Sequence, residues 1–169
     1  VLFRSISRLD QHVGRILATL DELHIAQNTI VVFTSDNGAT HSPVGGTDVD
    51  FFDSCGGLRG RKGSLYEGGI RVPAIVRWPD HVAPGTSSER VCGFEDWLPT
   101  LADACGLPAP KPVDGISMLP SLLGKPQPER PFLYREFAGY GGWQAVWSGN
   151  QVLIRKALDQ GAKIGRAHV

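Results

Sequence analysis

Ile30-Val31-Val32-Phe33-Thr34-Ser35-Asp36-Asn37-Gly38 is the stretch from which the architecture of this chain can be read. Its first five residues are a short, continuous, largely β-branched apolar run, the pattern of a strand covered on both faces, as in a parallel sheet. The polar residues begin where that strand should end. In open α/β sheets ligands collect beyond the carboxyl ends of the strands, so Asp36 and Asn37 stand where a ligand would be met. A carboxylate beside an amide carbonyl offers two hard oxygen donors, suited to calcium or magnesium. Gly38 then lets the backbone turn away. Asp, Asn and Gly also favour ordinary turns, so the tripeptide alone leaves both readings open.

A second polar block follows at Leu58-Arg59-Gly60-Arg61-Lys62-Gly63-Ser64-Leu65-Tyr66-Glu67-Gly68-Gly69-Ile70-Arg71-Val72-Pro73. Lys62 lies among Arg59, Arg61 and Arg71 on a glycine-spaced segment. An ammonium group near a metal would bind a sulfate or phosphate oxygen and offset charge growing on a leaving group. The G-x-x-x-x-G-K-[ST] order is absent, so the block is not a P-loop. The bland alternative is a solvated basic loop. Glu67 is either an acid in the chemistry or a residue that orders the turn before Gly68-Gly69. His41, just after the Asp-Asn pair, is either a substrate contact or plain surface.

Around these blocks the periodicity alternates between helix and strand. Leu9, Val13, Ile16, Leu17, Leu20 and Leu23 recur at helical spacing and predict an amphipathic helix from near Ser7 to near Leu23. Residues 35 to 71 read as a long functional loop. Ala74 to Trp78 predicts a second strand, and Phe94 to Cys105 a helix with Leu98, Leu101 and Ala102 inward and Gly106 as its stop. A short helical turn is expected within Gly115 to Leu123, then a proline-rich linker from Lys125 to Pro131. Phe132 to Phe137, Gln144 to Trp147 and Gln151 to Lys156 read as strands, with Ser148-Gly149-Asn150 as a hairpin turn. The order implies an α/β domain with a small antiparallel sheet appended. Tyr140, Trp143 and Trp147 either pack that sheet or stack on a sugar ring.

The 169 residues carry 17 basic and 17 acidic side chains, a net charge of zero. Nothing in that balance calls for a nucleic-acid or membrane-surface partner, and no apolar run approaches the roughly 18 residues of a membrane span. Cys55, Cys92 and Cys105, an odd and widely spaced set, form neither a disulfide framework nor a zinc motif. Both ends of the chain, residues 1–5 and 164–169, resemble translated adapter DNA. The biological part is therefore expected to run from about residue 6 to residue 163.

Taken jointly, Phe33 to Gly38, Leu58 to Gly63 and Tyr66 to Pro73 resemble the sulfatase family, the arylsulfatase-like branch of the alkaline-phosphatase-type superfamily. Trp97-Leu98-Pro99-Thr100-Leu101 and Asp114-Gly115-Ile116-Ser117 match in order and spacing, and the Tyr66–Pro73 segment is the most specific signature. The resemblance implies part of an alkaline-phosphatase-like sandwich, a mostly parallel sheet with helices on both faces. Residues 6–126 would belong to the α/β domain and residues 127–163 would begin the small carboxyl-terminal β subdomain. It implies sulfuric ester hydrolysis by a hydrated formylglycine, made from Cys or Ser in a C/S-x-P-x-R motif. A calcium ion, or magnesium in its place, would be held by two early Asp residues and a later Asp-Asn pair. By motif Asp36 and Asn37 are that later pair, and Lys62 is the lysine that contacts the sulfate group. Sulfatases of this type are usually exported.

The chain departs from the family pattern in what it lacks. None of its three cysteines, and no serine, stands in C/S-x-P-x-R, and the early Asp-Asp pair is absent. The expectation is a carboxyl-terminal part of a sulfatase that does not turn over a sulfate ester alone. Its nucleophile, and the specificity for a sulfated small molecule or sulfated glycan, would reside partly elsewhere. Two other readings stand beside it: a phosphodiesterase or phosphonate hydrolase of the same superfamily, and a non-catalytic module that holds a sulfated glycan.

Overall fold

The computed structural model describes residues 2–41, 43, 46, 48–161 and 163–168. Its contacts divide the chain into two compact units. The first comprises Val1–Phe33, Ile75–Glu89 and Phe94–Gln127; the second comprises Thr34–Ala74, Arg90–Gly93 and Pro128–Val169. The loop bearing both polar blocks is grouped with the carboxyl-terminal strands.

In the first unit, helix α1 spans Leu2–Glu22 and begins earlier than its apolar stripe suggested. It ends in a reversal at His24, whose φ is +56°. There the Ile25 amide reaches back to the Leu20 carbonyl at 3.0 Å, which satisfies an orphan carbonyl of the last turn. Asp21 then meets Arg77 at 3.2 Å. Strand β1, Val31–Thr34, pairs with β2, Ala74–Arg77. The burial expected on both faces of β1 is not reached: Val31 and Val32 are half-buried and Phe33 is exposed. Among the described residues β1 has β2 as its sheet neighbour and nothing on its other edge, so little covers it.

The helix expected from Phe94 forms as a 3-10 turn, Phe94–Asp96, running into α3, Trp97–Ala104. Its buried side differs from the expected one. Leu98 and Leu101 are exposed, whereas Asp96 and Thr100 are almost fully buried. The reason is polar: the Ile116 amide donates to Asp96 Oδ1 at 2.7 Å, and the Met118 amide donates to Thr100 Oγ1 at 2.8 Å. Two buried side chains thus satisfy backbone amides within and just after the Asp114–Ser117 motif, and buried polar groups persist only with such partners. A short helix α4, Leu119–Leu122, ends before Gly124, whose φ of +68° closes the turn.

The second unit contains an antiparallel sheet of four strands in the order β3-β4-β5-β6, spanning Leu133–Phe137, Trp143–Ser148, Gln151–Lys156 and Lys163–His168. The register sets Leu133 opposite Trp147, Trp147 opposite Val152, and Ala145 opposite Ile154. Period-2 alternation therefore gathers these apolar residues on one face. That face holds the core of Leu65, Leu133, Ala145, Trp147, Val152 and Ile154, with Tyr66, Ile70 and Trp143 packed against it. Ser148 pairs with Gln151, so the hairpin loop is Gly149-Asn150, one residue shorter than expected. Gly149 has φ +53°, which a two-residue turn of this hand requires. Strand β6 forms on residues from which no element was expected.

Candidate functional site

Thr34 closes β1, and its hydroxyl donates to the Pro73 carbonyl at 2.8 Å. The end of the first strand thus meets the start of the second, and the 39-residue excursion between them closes on itself. Within it the two polar blocks are joined by backbone. The Gly38 amide donates to the Gly69 carbonyl at 2.9 Å, and the Lys62 amide donates to the Ala39 carbonyl at 2.8 Å. These bonds bring Asp36 and Asn37 to the same place as Lys62.

Such close backbone approach requires residues without a β-carbon. A Cβ on Gly38 would collide with the Gly68 carbonyl, and one on Gly68 would meet the carbonyls of Gly60, Leu58 and Arg59. The Gly68 amide accordingly reaches the Arg59 carbonyl at 2.8 Å. Close packing between main-chain segments is one of the uses of glycine that no other residue supplies.

The residues that precede and follow the crossing are fixed by side chains. Ser35 donates its hydroxyl to the Asn37 carbonyl at 3.0 Å, and the Asn37 Nδ2 donates to the Gly38 carbonyl at 3.1 Å. With its amide nitrogen engaged, Asn37 has its Oδ1 left as an acceptor beside the exposed Asp36 carboxylate. An amide oxygen and a carboxylate oxygen match the donors a calcium or magnesium ion prefers. Two donors do not complete a coordination shell, and no group of three or more His, Cys, Asp or Glu residues among the described residues does so.

The basic block is sorted by its partners. Arg59 lies over the Tyr66 ring at 4.0 Å, Arg61 pairs with Asp50, and Arg71 lies 3.8 Å from Glu67. Lys62 is exposed, and among the described residues no carboxylate pairs with it. Its ammonium is therefore open to meet an anion. Glu67 behaves as a structural group: Trp147 Nε1 donates to its Oε1 at 2.7 Å. That bond fastens helix α2, Glu67–Ile70, to strand β4. Tyr66 meets Trp143 edge to face, with centroids 5.5 Å apart. Leu65 enters the core of the sheet. The Lys62 loop is therefore seated on the β3–β6 sheet through Leu65, Tyr66 and Glu67.

His41 is exposed, and none of these bonds brings it to Lys62. Cys55, Cys92 and Cys105 are not joined in disulfides, and Cys55 donates to the Gly60 carbonyl at 3.4 Å. Trp143 and Trp147 pack the sheet, one against Tyr66 and the other buried in the core. Tyr140 does not pack in this way, since it is 76% exposed. The support from Trp147 to Glu67 was not foreseen from sequence. Its only signal there is the alternation that turns Trp147 to the inner face.

Comparison with known proteins converges on one family. A family model described as "Sulfatase" matches residues 2–107, and one described as "N-sulphoglucosamine sulphohydrolase, C-terminal" matches residues 60–155. The steryl-sulfatase of Mus musculus is 40% identical over 157 residues, covering 91% of this chain and 25% of that protein. The N-acetylgalactosamine-6-sulfatase of Homo sapiens is 37% identical over 135 residues, covering 77% of this chain and 24% of that protein. A solved structure in complex with its substrate D-glucosamine-2-N,6-O-disulfate superposes with a TM-score of 0.79 at 24% identity. The match covers 96% of this chain and 32% of that one, and it shows the shared fold. This chain spans about a quarter of the length of the curated relatives it matches.

Proposed function

The chain belongs to the sulfatase family, and on that premise we propose that it forms the part of a sulfuric ester hydrolase that grips the sulfate group. The observation that carries this reading is the pair of backbone bonds, Gly38 to Gly69 and Lys62 to Ala39, that set Lys62 beside Asp36 and Asn37. The names of the relatives support a sulfate ester on a small molecule or a glycan as substrate.

Asp36 and Asn37 would hold the calcium ion, or magnesium in its place, together with donors from elsewhere in the enzyme. When bound, the ion supplies Lewis-acid polarisation of a sulfate oxygen. The ammonium of Lys62 binds and orients a sulfate oxygen and offsets the charge that grows as the ester oxygen departs. Water is consumed overall, and the products are the free alcohol and sulfate. The nucleophile, expected to be a formylglycine, has no C/S-x-P-x-R source in this sequence. Covalent catalysis depends on it, so the isolated chain is expected to bind sulfate without hydrolysing nitrophenyl sulfate.

The test is a calorimetric titration of the chain with inorganic sulfate, with and without calcium. Sulfate should bind more tightly when calcium is present. Lys62→Ala should weaken binding by about tenfold or more, the usual scale for a lost hydrogen bond to a charged group, and Asp36→Ala should abolish the calcium effect. Sulfate binding indifferent to calcium and to Lys62 would refute the reading.

A further inference from the structure

Beside Lys62 stands a feature that sulfate recognition does not use. Tyr140 holds a left-handed backbone conformation, φ +52°, within Gly139-Tyr140-Gly141-Gly142. A bulky side chain at positive φ is uncommon and persists only where its surroundings impose it. Here they do. The Gly142 amide bonds the Gly139 carbonyl at 3.1 Å and closes the turn, and the Asp159 amide bonds the Gly141 carbonyl at 3.3 Å. The Phe137 ring braces Tyr140 at a centroid distance of 6.1 Å and a 45° tilt.

The turn delivers the phenol ring to Gly63, the residue next to Lys62. A Cβ on Gly63 would stand 2.5 Å from Cε2 of Tyr140 and 3.1 Å from Cδ2. Gly63 is thus glycine for two reasons, its own φ of +87° and the room it leaves for this ring. One edge of Tyr140 is seated on the sulfate-binding loop while 76% of the residue is open to solvent. Trp143 and Trp147, on the strand that follows, are turned inward.

We infer that Tyr140 is a specificity-determining residue, a platform on which the ring bearing the sulfate ester stacks while Lys62 holds the sulfate. The inference rests on the sulfate-binding reading of Lys62 and adds the substrate class: sulfate esters of a six-membered ring, in preference to acyclic ones. A phenol face stacks on an arene or on the C–H face of a pyranose. A sulfate ester on either ring places its sulfur two or three bonds from the ring, which matches the adjacency of Tyr140 and Lys62.

The 169-residue chain with calcium is titrated against inorganic sulfate, methyl sulfate, 4-nitrophenyl sulfate and glucosamine-6-sulfate. At least one ring ester should bind about tenfold more tightly than methyl sulfate, the scale of one aromatic stack. Whichever ester does so identifies the ring as arene or pyranose. Tyr140→Ala should remove that preference and leave inorganic sulfate unchanged, and Tyr140→Phe should keep it. A ring preference that survives Tyr140→Ala, or no ring preference while sulfate still binds through Lys62, overturns the platform alone. An equal loss for all four ligands in Tyr140→Ala overturns it as well, because that is a structural effect. If inorganic sulfate shows no dependence on Lys62, the sulfate site itself falls and the platform with it.

Discussion

The loop from Ser35 to Pro73 and the sheet of β3 to β6 are specified by different physics. In the loop, position is set by main chain meeting main chain: Gly38 to Gly69, Lys62 to Ala39, Gly68 to Arg59. Among the described residues of that segment, only Leu65 enters the sheet's apolar cluster as a buried residue. In the sheet, position is set by side chains alternating between faces, with Val152 and Ile154 inward and Leu153 outward. The difference determines how each region tolerates change. A sheet of this kind accepts many apolar residues of similar volume at each inner position. At Gly38 and Gly68 the loop accepts glycine alone, because the neighbour is a carbonyl oxygen with no room to yield.

Four perturbations would break or sharpen that contrast. The largest effect is expected in the sheet. Ile154→Ala leaves a cavity in the only sizeable apolar cluster of the described unit and should cost about 2–5 kcal/mol, measured by urea denaturation followed by tryptophan fluorescence. A shift under 1 kcal/mol would mean that the cluster does not hold the unit together.

Next comes Gly68→Ala, which drives a methyl group into the carbonyls of Gly60, Leu58 and Arg59. The expected cost is about 1–3 kcal/mol. Unlike Ile154→Ala, it should also disrupt sulfate and calcium binding by moving the Lys62 loop. Unchanged binding in a folded Gly68→Ala protein would show that the crossing does not position the site.

Trp147→Phe probes the seam between the two regions. It keeps the buried ring but removes the donor to Glu67, and about 1.5 kcal/mol should be lost. A double-mutant cycle with Glu67→Leu, which removes the acceptor, should return most of that as coupling; additive losses would mean that the 2.7 Å bond contributes nothing.

The smallest effect lies on the outer face of the sheet, where Tyr134 donates to Glu136 at 2.6 Å and Gln144 lies within 3.3 Å. The Tyr134 hydroxyl, then the Gln144 amide, hold the Glu136 carboxyl below its ordinary value. Its contribution is therefore present above the ordinary carboxylate range and lost as pH falls through the lowered value. The same bond pushes Tyr134 up, so that contribution is present below the usual tyrosine range and lost as pH rises through the raised value. Glu136→Gln should flatten the acid-side fall in denaturation midpoint as pH drops below the ordinary carboxylate range. An acid-side profile identical to that of the parent chain would remove the pair from consideration.

Much of this was legible along the chain, and for definite reasons. Apolar alternation at Gln151–Lys156 and helical spacing at Leu9–Leu20 depend on residues near one another in sequence, and both yielded elements where expected. Asp36, Asn37 and Lys62 were picked out by residue type and spacing, and the fold brings their segments together. The inner face of α3 was misread because hydrophobicity pointed to Leu98 and Leu101. The buried pair is instead Asp96 and Thr100, which serve amides some 20 residues away. No local pattern discloses a partner at that distance. His41 drew attention by its place after the Asp-Asn pair, but the loop leaves it exposed and apart from the backbone bonds that gather the others.

The sequence by itself determined most of the elements, the two polar blocks and the family, because these follow from local periodicity and from short motifs whose residue types carry their own chemistry. Only the tertiary structure decided that the Lys62 loop is seated on the carboxyl-terminal sheet, that Glu67 is held by Trp147, and that the exposed Tyr140 ring lies against Gly63. Those outcomes depend on which side of a strand meets which loop. That relation arises between residues about 80 positions apart, and only the closed chain brings them within hydrogen-bonding reach.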